Sequence, residues 1–342
     1  MTVQLVTTVF LNSRKVNKTM ENLFPIPEQE HLYIYDKFKR RIPVNQVPKN
    51  LRPLPFYFFG SGSKGNSVYL TRLHTLIDLG FPYNHYTKVN PNFFLDVDYI
   101  FLTHEHRDHF KFSTFYKILR VFPNVTFVLT QRMYDIITEP DKSKNKIAKE
   151  VSGDFDAKIK SLKTTYASHF FIINKNQPSM IFKTRHQVEF WFTPHIVSHG
   201  TIQNLAIEFS TQKYGMHMLY SSDIDHLLDT TGSDQVQHLG LPMNYTTTED
   251  LTDKHFMPHK GALTLQPLTN PFNLMFLEAN YDENILQPFL SKHPFDPHAN
   301  GNQRHISEQE AWRYINLALD TNGLFVPLHA STQFGTLIQE LD

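Results

Sequence analysis

The chain has 342 residues, with 33 basic side chains, 33 acidic side chains and no cysteine. This length suits about two domains or one elaborated α/β domain, and it can bury a sizeable core without disulfides. The lack of cysteine excludes disulfide frameworks, cysteine-ligated zinc, iron–sulfur clusters and thiol catalysis. The balanced charge excludes a generally basic DNA-coating protein, although it is compatible with a local basic patch.

Histidine is frequent, with 19 residues, and it is both the commonest metal ligand and an acid or base near neutral pH. Because cysteine is absent, a transition-metal site must combine histidines with carboxylates. The first residues lack the basic and apolar regions of a signal peptide, and no stretch approaches about 18 consecutive apolar residues. We therefore expect a cytoplasmic protein that does not enter a membrane.

The chain divides by texture near residue 52. Residues 1–52 are polar, with a basic cluster and several prolines, and they are interpreted as an N-terminal extension of a main domain at 53–342. Short apolar runs bounded by polar turns then predict strands. These strands are predicted at Phe56–Phe59, Ser67–Leu70, Thr75–Leu79, Tyr99–Leu102, Thr126–Leu129, Trp191–Phe192, Leu205–Phe209, His217–Tyr220, Leu274–Leu277 and Leu324–Leu328.

Helical patterns occur between these runs. Phe112–Phe122 carries apolar residues at helical spacing, and residues 135–165 are charged and weakly helical. Ser307–Asp320 is amphipathic, and Ser307 followed three residues later by Glu310 predicts a capping box. Residues 226–272 are polar and rich in turn residues, so they are interpreted as an insertion.

Two motif matches are rejected because their context is wrong. Gly60–Gly65 has the spacing GxGxxG, but a dinucleotide site requires a helix directly afterwards. Asn66–Leu70 reads as a strand, so we expect a glycine-rich turn between two strands. His106-Arg107-Asp108 matches part of the kinase catalytic loop, but Ser113 stands where that loop needs asparagine.

A third motif carries more chemistry. The predicted strand ending at Thr103 leads into His104-Glu105-His106-Arg107-Asp108-His109, the pattern HxHxDH. A tight loop there can direct His104 and His106 at one ion, and Asp108 and His109 at a second ion beside it. Packing three imidazoles and a carboxylate together without a metal would be costly. The pattern therefore predicts a dinuclear metal centre.

Four further candidate ligands lie at the end of a predicted strand or within a short motif. In chain order they are Asp78, His199, Asp223 and His329. With these landmarks around HxHxDH, the chain resembles the metallo-β-lactamase fold superfamily over roughly residues 56–335. The resemblance implies an α/β fold, a four-layer αββα sandwich with the metal site at one edge between the sheets. His195 competes with His199, but Ser198-His199-Gly200 looks more like the family motif.

The resemblance also implies a ligand set and a chemistry. Two zinc ions would share a water and convert it to a hydroxide that attacks phosphorus, with manganese as the alternative metal. Asp78 is expected to orient the site from outside, and Asp108 to help position the hydroxide. The implied ligands are His104, His106 and His199 on one ion and Asp108, His109 and His329 on the other, with Asp223 as a bridge.

Shorter motifs resemble the WalJ/YycJ-type nucleases of this superfamily. They lie at Gly60–Ser67, Leu277–Asp282, Arg304–Ser307 and His329–Ser331. The chain departs from that branch at Arg304 and Glu308, where glycine and asparagine are usual, and in its extension and insertion.

Two further roles follow from these motifs. His305 is the candidate acid that protonates the leaving oxygen, and a phosphate contact or an ordinary loop histidine are the alternatives. Substrate contact is predicted for four residues of the glycine-rich turn, although a purely structural turn fits them about as well. These residues are Ser61, Ser63, Lys64 and Asn66.

We expect a metal-dependent phosphodiesterase acting on a nucleotide or single-stranded nucleic acid, with a WalJ-like DNA nuclease slightly favoured. Balanced charge and the 29 phenylalanines and 15 tyrosines favour the alternative, a cyclic-nucleotide phosphodiesterase of the kind phages use against Pycsar immunity. A lactone or thioester hydrolase is a second class, because fold does not fix substrate. A non-catalytic binding protein is the third class, although it would usually have lost ligands. The aromatic excess also suggests a homodimer.

Overall fold

The structure is a computed structural model that describes residues 29, 32–139, 155–174, 178–199, 202–225, 243–244, 264–265, 270–294, 296 and 305–337. Most of the predicted insertion at 226–272, residues 140–154 of the segment 135–165, and Arg304 lie outside these ranges. None of the helices within them is long and apolar enough to cross a membrane.

The first sheet has six strands: β1 (Tyr57–Gly60), β2 (Ser67–Leu70), β3 (Thr75–Ile77), β4 (Tyr99–Leu102), β5 (Thr126–Thr130) and β6 (Phe170–Ile173). They lie side by side in chain order. β1, β2 and β3 pair antiparallel, and β3 to β6 pair parallel. The glycine-rich turn joins β1 to β2, as predicted, and no helix follows it.

The second sheet also has six strands: β7 (Met180–Lys183), β8 (Glu189–His199), β9 (Ile202–Thr211), β10 (Met216–Ser221), β13 (Phe272–Glu278) and β14 (Leu319–Leu328). Their order across the sheet is β14-β13-β10-β9-β8-β7. β14, β13 and β10 pair parallel, whereas β10 to β7 pair antiparallel. A separate two-stranded ribbon pairs β11 (Met243–Asn244) with β12 (Thr264–Leu265).

Seven α-helices lie within the described ranges: α1 (Tyr83–Val89), α2 (Phe93–Asp96), α3 (Phe112–Val121), α4 (Gln131–Thr138), α5 (Phe155–Thr164), α6 (Glu283–Lys292) and α7 (Glu308–Ala318). The predicted start of α7 is confirmed, because the Ser307 hydroxyl accepts a hydrogen bond from the Glu310 amide at 3.1 Å. That bond satisfies one of the free amides at the helix start.

Alternation along the strands divides the apolar side chains into three layers. Phe101 of β4 faces the second sheet, where its ring lies 5.1 Å from that of Phe209. Its neighbours Ile100 and Leu102 point to the other face and pack under α1 to α5. On the second sheet, Met275 faces α7. Because successive side chains in a strand point to opposite faces, the two sheets share one core and each has an outer helical layer. These layers confirm the four-layer αββα sandwich.

The described part of the N-terminal extension packs into this sandwich. Leu32, Ile34, Val47 and Leu51 are buried in the core between the sheets. Tyr35 forms an antiparallel bridge with Phe325, so the extension covers the edge strand β14. Covering an edge removes unpaired backbone groups that would otherwise be free to pair with another chain.

β8 and β9 are longer than predicted. The sequence predicted strand only at Trp191–Phe192 and Leu205–Phe209, because Pro194, His195 and polar residues interrupt the apolar pattern. In the structure β8 pairs with β9 from Trp191 to His199, whereas β7 covers β8 only up to Phe192. Pro194 therefore lies where β8 has a single paired neighbour, which a strand tolerates. This extension carries His199 to the edge of the sheet.

The strand directions bring the predicted ligands to one edge. β3 and β4 are parallel and are followed within two residues by Asp78 and His104, and β10 and β14 are followed in the same way by Asp223 and His329. β8 runs in the same direction as β10, because β9 is antiparallel to both. The carboxyl ends of these strands therefore meet in the crevice between the sheets, the usual place for a site in α/β folds.

Candidate metal centre

The loop after β4 directs its ligand-type side chains into two neighbouring groups. The His109 and Phe110 amides both bond the carbonyl of His106, at 2.9 and 2.7 Å, which closes a tight turn. The turn separates His104 and His106 from Asp108 and His109. Each pair then meets residues that arrive from the second sheet.

The first group contains His104, His106, His199 and Asp223, whose ligand-type atoms all lie within 4.8 Å of one another. His104 Nε2 lies 3.6 Å and His199 Nε2 lies 3.9 Å from the same oxygen, Asp223 Oδ2. The three imidazoles lie edge to face, with ring centroids 4.8 to 5.7 Å apart.

The second group contains Asp108, His109, His329 and again Asp223, with ligand atoms within 4.8 Å. Here the other carboxylate oxygen of Asp223 is used, because Oδ1 lies 3.3 Å from His109 Nε2 and 3.6 Å from His329 Nε2. Asp108 Oδ2 lies 3.5 Å from His329 Nε2. The single residue Asp223 thus presents one oxygen to each group.

These residues fit a pair of divalent metal ions. Ligand atoms about 2.0–2.1 Å from a tetrahedral zinc ion lie roughly 3.4 Å apart, close to the separations observed here. Moreover, His104 Nε2 and His109 Nε2 are buried and have no hydrogen-bond partner. A buried polar atom without a partner is costly unless something else, such as a metal ion, satisfies it.

Asp78 lies outside both groups and holds two of their members. Its carboxylate accepts a hydrogen bond from the Thr103 amide at 2.9 Å and faces His109 Nδ1 at 2.6 Å. The Thr103 hydroxyl lies 2.9 Å from Asp78 and 3.1 Å from His104 Nδ1. Since Nδ1 of His109 is bonded to a carboxylate, Nε2 is the nitrogen left for the second group. Such outer partners fix the ring orientation and tautomer of metal-binding histidines.

The glycine-rich turn holds Asp108 and His329 from the first sheet. The Asn66 amide lies 3.2 Å from Asp108 Oδ2, and the Ser61 hydroxyl accepts the His329 amide at 2.8 Å. Asn66 is completely buried, and both it and Ser61 hold the segments that carry Asp108 and His329. Their contact with a substrate stays a prediction. Ser63 and Lys64 are exposed at the tip of the same turn and are open to a substrate.

Gly80 makes this close approach possible. A Cβ built on Gly80 would lie 1.9 Å from the Asp108 carbonyl oxygen and 2.3 Å from the Asn66 nitrogen. The backbones of three segments therefore meet where only glycine fits.

Three of the six described residues other than glycine that have a positive φ lie at the same place. Asp78, Asp223 and His329 adopt φ values of +60°, +53° and +52°, a region that residues other than glycine rarely occupy. Asp78 and His329 directly follow β3 and β14, Asp223 lies two residues after β10, and each turns its side chain into the crevice. Strained conformations of this kind persist where surrounding structure enforces them, and they cluster at functional sites.

The protonation states differ between the two groups, and those of His106 and His199 suit metal binding. Burial lowers the pKa of His106 to about 4 and that of His199 to about 3, so both rings are neutral at pH 7. Burial would raise the pKa of Asp108, but the contact with His329 and the charge of His109 lower it to about 2. Burial alone would lower the pKa of His329, but the charge of Asp223 and the hydrogen bond to Asp108 raise it to about 9. A cation binding here therefore competes with a proton on His329.

His305 lies beside both groups without joining either. Its ring stacks 4.9 Å from that of His329 and lies 4.9 Å from that of His199. His305 Nδ1 lies 2.5 Å from Oε1 of Glu278, whose other oxygen accepts the Ile224 amide at 2.6 Å. Glu278 is completely buried and fixes the His305 ring through Nδ1, so Nε2 takes no part in this bond.

His195, the competitor of His199, belongs elsewhere. It pairs with Glu208 on the outer face of the second sheet at 3.2 Å, and His217 binds the same carboxylate at 2.7 Å. The structure therefore places His199, and not His195, in the first group.

Sequence reasoning missed three supporting residues. Thr103 links Asp78 to His104, Glu278 holds His305, and the Asn280 amide lies 3.0 Å from His329 Nδ1. Glu278 and Asn280 lie in the segment Leu277–Asp282, whose motif was noticed but given no role. Its strand-end position and its carboxylate and amide side chains were a usable signal.

Comparison with known proteins adds only a weak likeness of overall shape. No family model and no curated protein matches the chain. Human tRNase Z short form is 13% identical with a TM-score of 0.43, covering 81% of this chain and 92% of its own. The metallo-β-lactamase fold protein YhfI from Bacillus subtilis is 14% identical with a TM-score of 0.39, covering 77% and 80%. Unliganded yeast PDE1 is 11% identical with a TM-score of 0.37, covering 88% and 70%.

Proposed function

We propose that this chain is a metal-dependent phosphodiesterase with a dinuclear site. The observation that carries the proposal is the division of Asp223 between two ligand groups, with Oδ2 toward His104 and His199 and Oδ1 toward His109 and His329. A carboxylate placed in this way would offer one oxygen to each of two ions. Zinc is favoured and manganese is the alternative, because histidine and carboxylate ligands suit both.

Charge around the groups favours an anionic substrate. Arg107 is exposed within the ligand loop itself, and Lys64 is exposed on the turn that holds Asp108. Lys111 lies two residues after His109, and its ammonium group donates to the Arg107 carbonyl at 3.3 Å. Cationic side chains at the rim attract and orient phosphate oxygens, and a neutral lactone or thioester gains less from them.

Metal ions in such a site lower the pKa of water and offset charge on phosphate oxygens. The chain's own residues supply the other requirements. Asp108, held by Asn66, orients the attacking water. With both ring nitrogens protonated, His305 gives the Nε2 proton to the leaving oxygen, while Nδ1–H donates to Glu278, which holds the ring orientation and balances the positive charge.

The finer proposal is a WalJ-like nuclease that cuts single-stranded DNA. The glycine-rich turn supports it, since the segment that resembles those nucleases also presents Lys64 at its exposed tip. A cyclic-nucleotide phosphodiesterase is the alternative outcome of the same experiment.

The experiment compares wild type with two variants of one loop, Asp108→Asn and Glu105→Gln. Both remove one carboxylate charge, but Glu105 pairs with Arg132 at 3.1 Å and belongs to neither ligand group. Each protein is assayed with Zn²⁺ or Mn²⁺ on end-labelled single-stranded DNA, on 3′,5′-cyclic nucleotides and on a lactone and thioester panel.

Cleavage of DNA by wild type and Glu105→Gln, but not by Asp108→Asn, supports the nuclease. The same pattern on cyclic nucleotides overturns the finer proposal and keeps the phosphodiesterase. Cleavage of carbon esters alone, or equal activity of both variants, overturns the phosphodiesterase itself.

A further inference from the structure

A second cluster of ligand-type side chains lies at the opposite edge of the sandwich. His74 directly precedes β3, whereas Asp78 of the metal centre follows β3. Asp96 ends α2, just before β4, and His186 lies in the turn between β7 and β8. The cluster therefore joins three segments, of which two belong to the first sheet and its helices and one to the second sheet. It takes no part in the proposed reaction.

The three side chains converge on one carboxylate oxygen. His74 Nδ1 lies 3.1 Å and His186 Nε2 lies 3.4 Å from Asp96 Oδ1. One ligand atom from each residue lies within 4.8 Å of the other two. The side chains are 16%, 19% and 13% exposed for His74, His186 and Asp96, so they are largely shielded but still reachable from solvent.

Neighbouring bonds hold the cluster in place. The Tyr69 hydroxyl donates to Asp96 Oδ2 at 2.5 Å, which leaves Oδ1 to the histidines. Arg185 ties the turn that carries His186 to the segment before β4, through the Leu95 and Val97 carbonyls at 3.1 and 3.0 Å. Its guanidinium also pairs with Asp98, so the nearest cationic side chain is matched by a carboxylate.

We propose that His74, Asp96 and His186 form a separate binding site for a divalent transition-metal ion of the zinc type. Two imidazoles and one carboxylate are a common zinc ligand set, and water would complete the coordination. The 3.1 and 3.4 Å separations match the roughly 3.4 Å between ligand atoms around a tetrahedral zinc ion. An ion here would fasten the β7–β8 turn to the first sheet and stabilise the fold.

The competing explanation is a hydrogen-bonded polar cluster that binds no metal. The two imidazole rings stack with centroids 3.6 Å apart and planes 10° apart. A shared ion requires one ring to tilt out of this stack. His186 lies in a turn and is the most exposed of the three side chains, so it is the ring with room to tilt.

Metal content in variant proteins separates the two explanations. The full chain is stripped with a chelator, equilibrated with buffered Zn²⁺, and its zinc content is measured by mass spectrometry. His186→Gln removes one ligand. His169→Gln is the matched control, because His169 is a half-buried histidine whose Nδ1 lies 3.2 Å from the Val125 carbonyl, outside the cluster. A background of His104→Ala with Asp108→Ala disrupts both groups of the dinuclear site.

Wild type and His169→Gln should each retain one zinc ion more per chain than His186→Gln. In the background variant, Zn²⁺ should still raise the melting temperature, and adding His186→Gln should abolish that rise. Circular dichroism without metal shows whether each variant is folded. Equal zinc contents in folded wild type and His186→Gln, together with an unchanged rise in the background, would overturn this site while leaving the dinuclear site untouched.

Discussion

Replacing Asp78 by asparagine should weaken metal binding without removing any ligand. Asp78 receives the Thr103 amide and the Thr103 hydroxyl at 2.9 Å each, and it faces His109 Nδ1 at 2.6 Å. Asparagine has only one oxygen, so either the Thr103 bonds or the His109 bond must be lost. If the new NH₂ faces His109, the ring proton moves to Nε2, the nitrogen directed at Asp223.

The expected loss follows from how such outer partners act. Mutating the partner of a metal-binding histidine typically costs about 10–100-fold in affinity, or about 1.4–2.8 kcal/mol. The loss should fall on the ion held by His109 and leave the ion held by His104, His106 and His199 nearly unchanged. Competition with a chromophoric chelator resolves the two affinities, and turnover should fall with the weaker one.

Glu208→Gln is the matched control for this experiment. Glu208 is also a carboxylate bound by histidines, with His195 at 3.2 Å and His217 at 2.7 Å, but it lies on the outer face of the second sheet. Its loss should leave both metal affinities unchanged. A folded Asp78→Asn protein that binds both ions as tightly as wild type would refute the assignment of Asp78 as the residue that orients His109.

The other predictions concern the proton donor, a buried carboxyl and a glycine. His305→Ala should lower kcat by about 10²–10⁴-fold and leave the metal content unchanged. A substrate whose leaving group is p-nitrophenolate should recover most of this loss, because that group departs without a proton. No recovery would argue against His305 as the proton donor. Burial, reinforced by Glu283, raises the pKa of Glu310 to about 8. The folded protein therefore holds this proton more tightly, and stability should fall by up to about 1.4 kcal/mol per pH unit between pH 4.5 and 8. Denaturant unfolding of Glu310→Gln should show a flatter pH profile, and an unchanged slope would contradict this account. Gly80→Ala should lower the free energy of unfolding by about 3 kcal/mol or more and loosen Asp108, because the new Cβ would overlap the Asp108 carbonyl. The melting temperature and the metal content should both fall. An unaltered protein would show that the loops can shift.

Several elements could be predicted from the sequence because their causes are local. The boundaries of β2 and β4 match the prediction, and the Ser307 cap depends on residues three positions apart. β8 was underpredicted because its stabilising partner, β9, lies in another segment and compensates for Pro194. A local sequence pattern carries no information about hydrogen bonds to a strand that is distant in sequence.

The sequence by itself determined the ligand types and their density, since HxHxDH places four candidate ligands in one loop after an apolar strand. Only the tertiary structure decided how they are shared. Asp223 serves both groups, and His199 is chosen over His195, because strand direction and register set the distances between segments. The cluster of His74, Asp96 and His186 could not be predicted for the same reason. Its members are far apart in sequence and meet only where the β7–β8 turn reaches the first sheet. The sequence gives the type of each side chain, but the distances between the side chains of a site are set by how the segments pack.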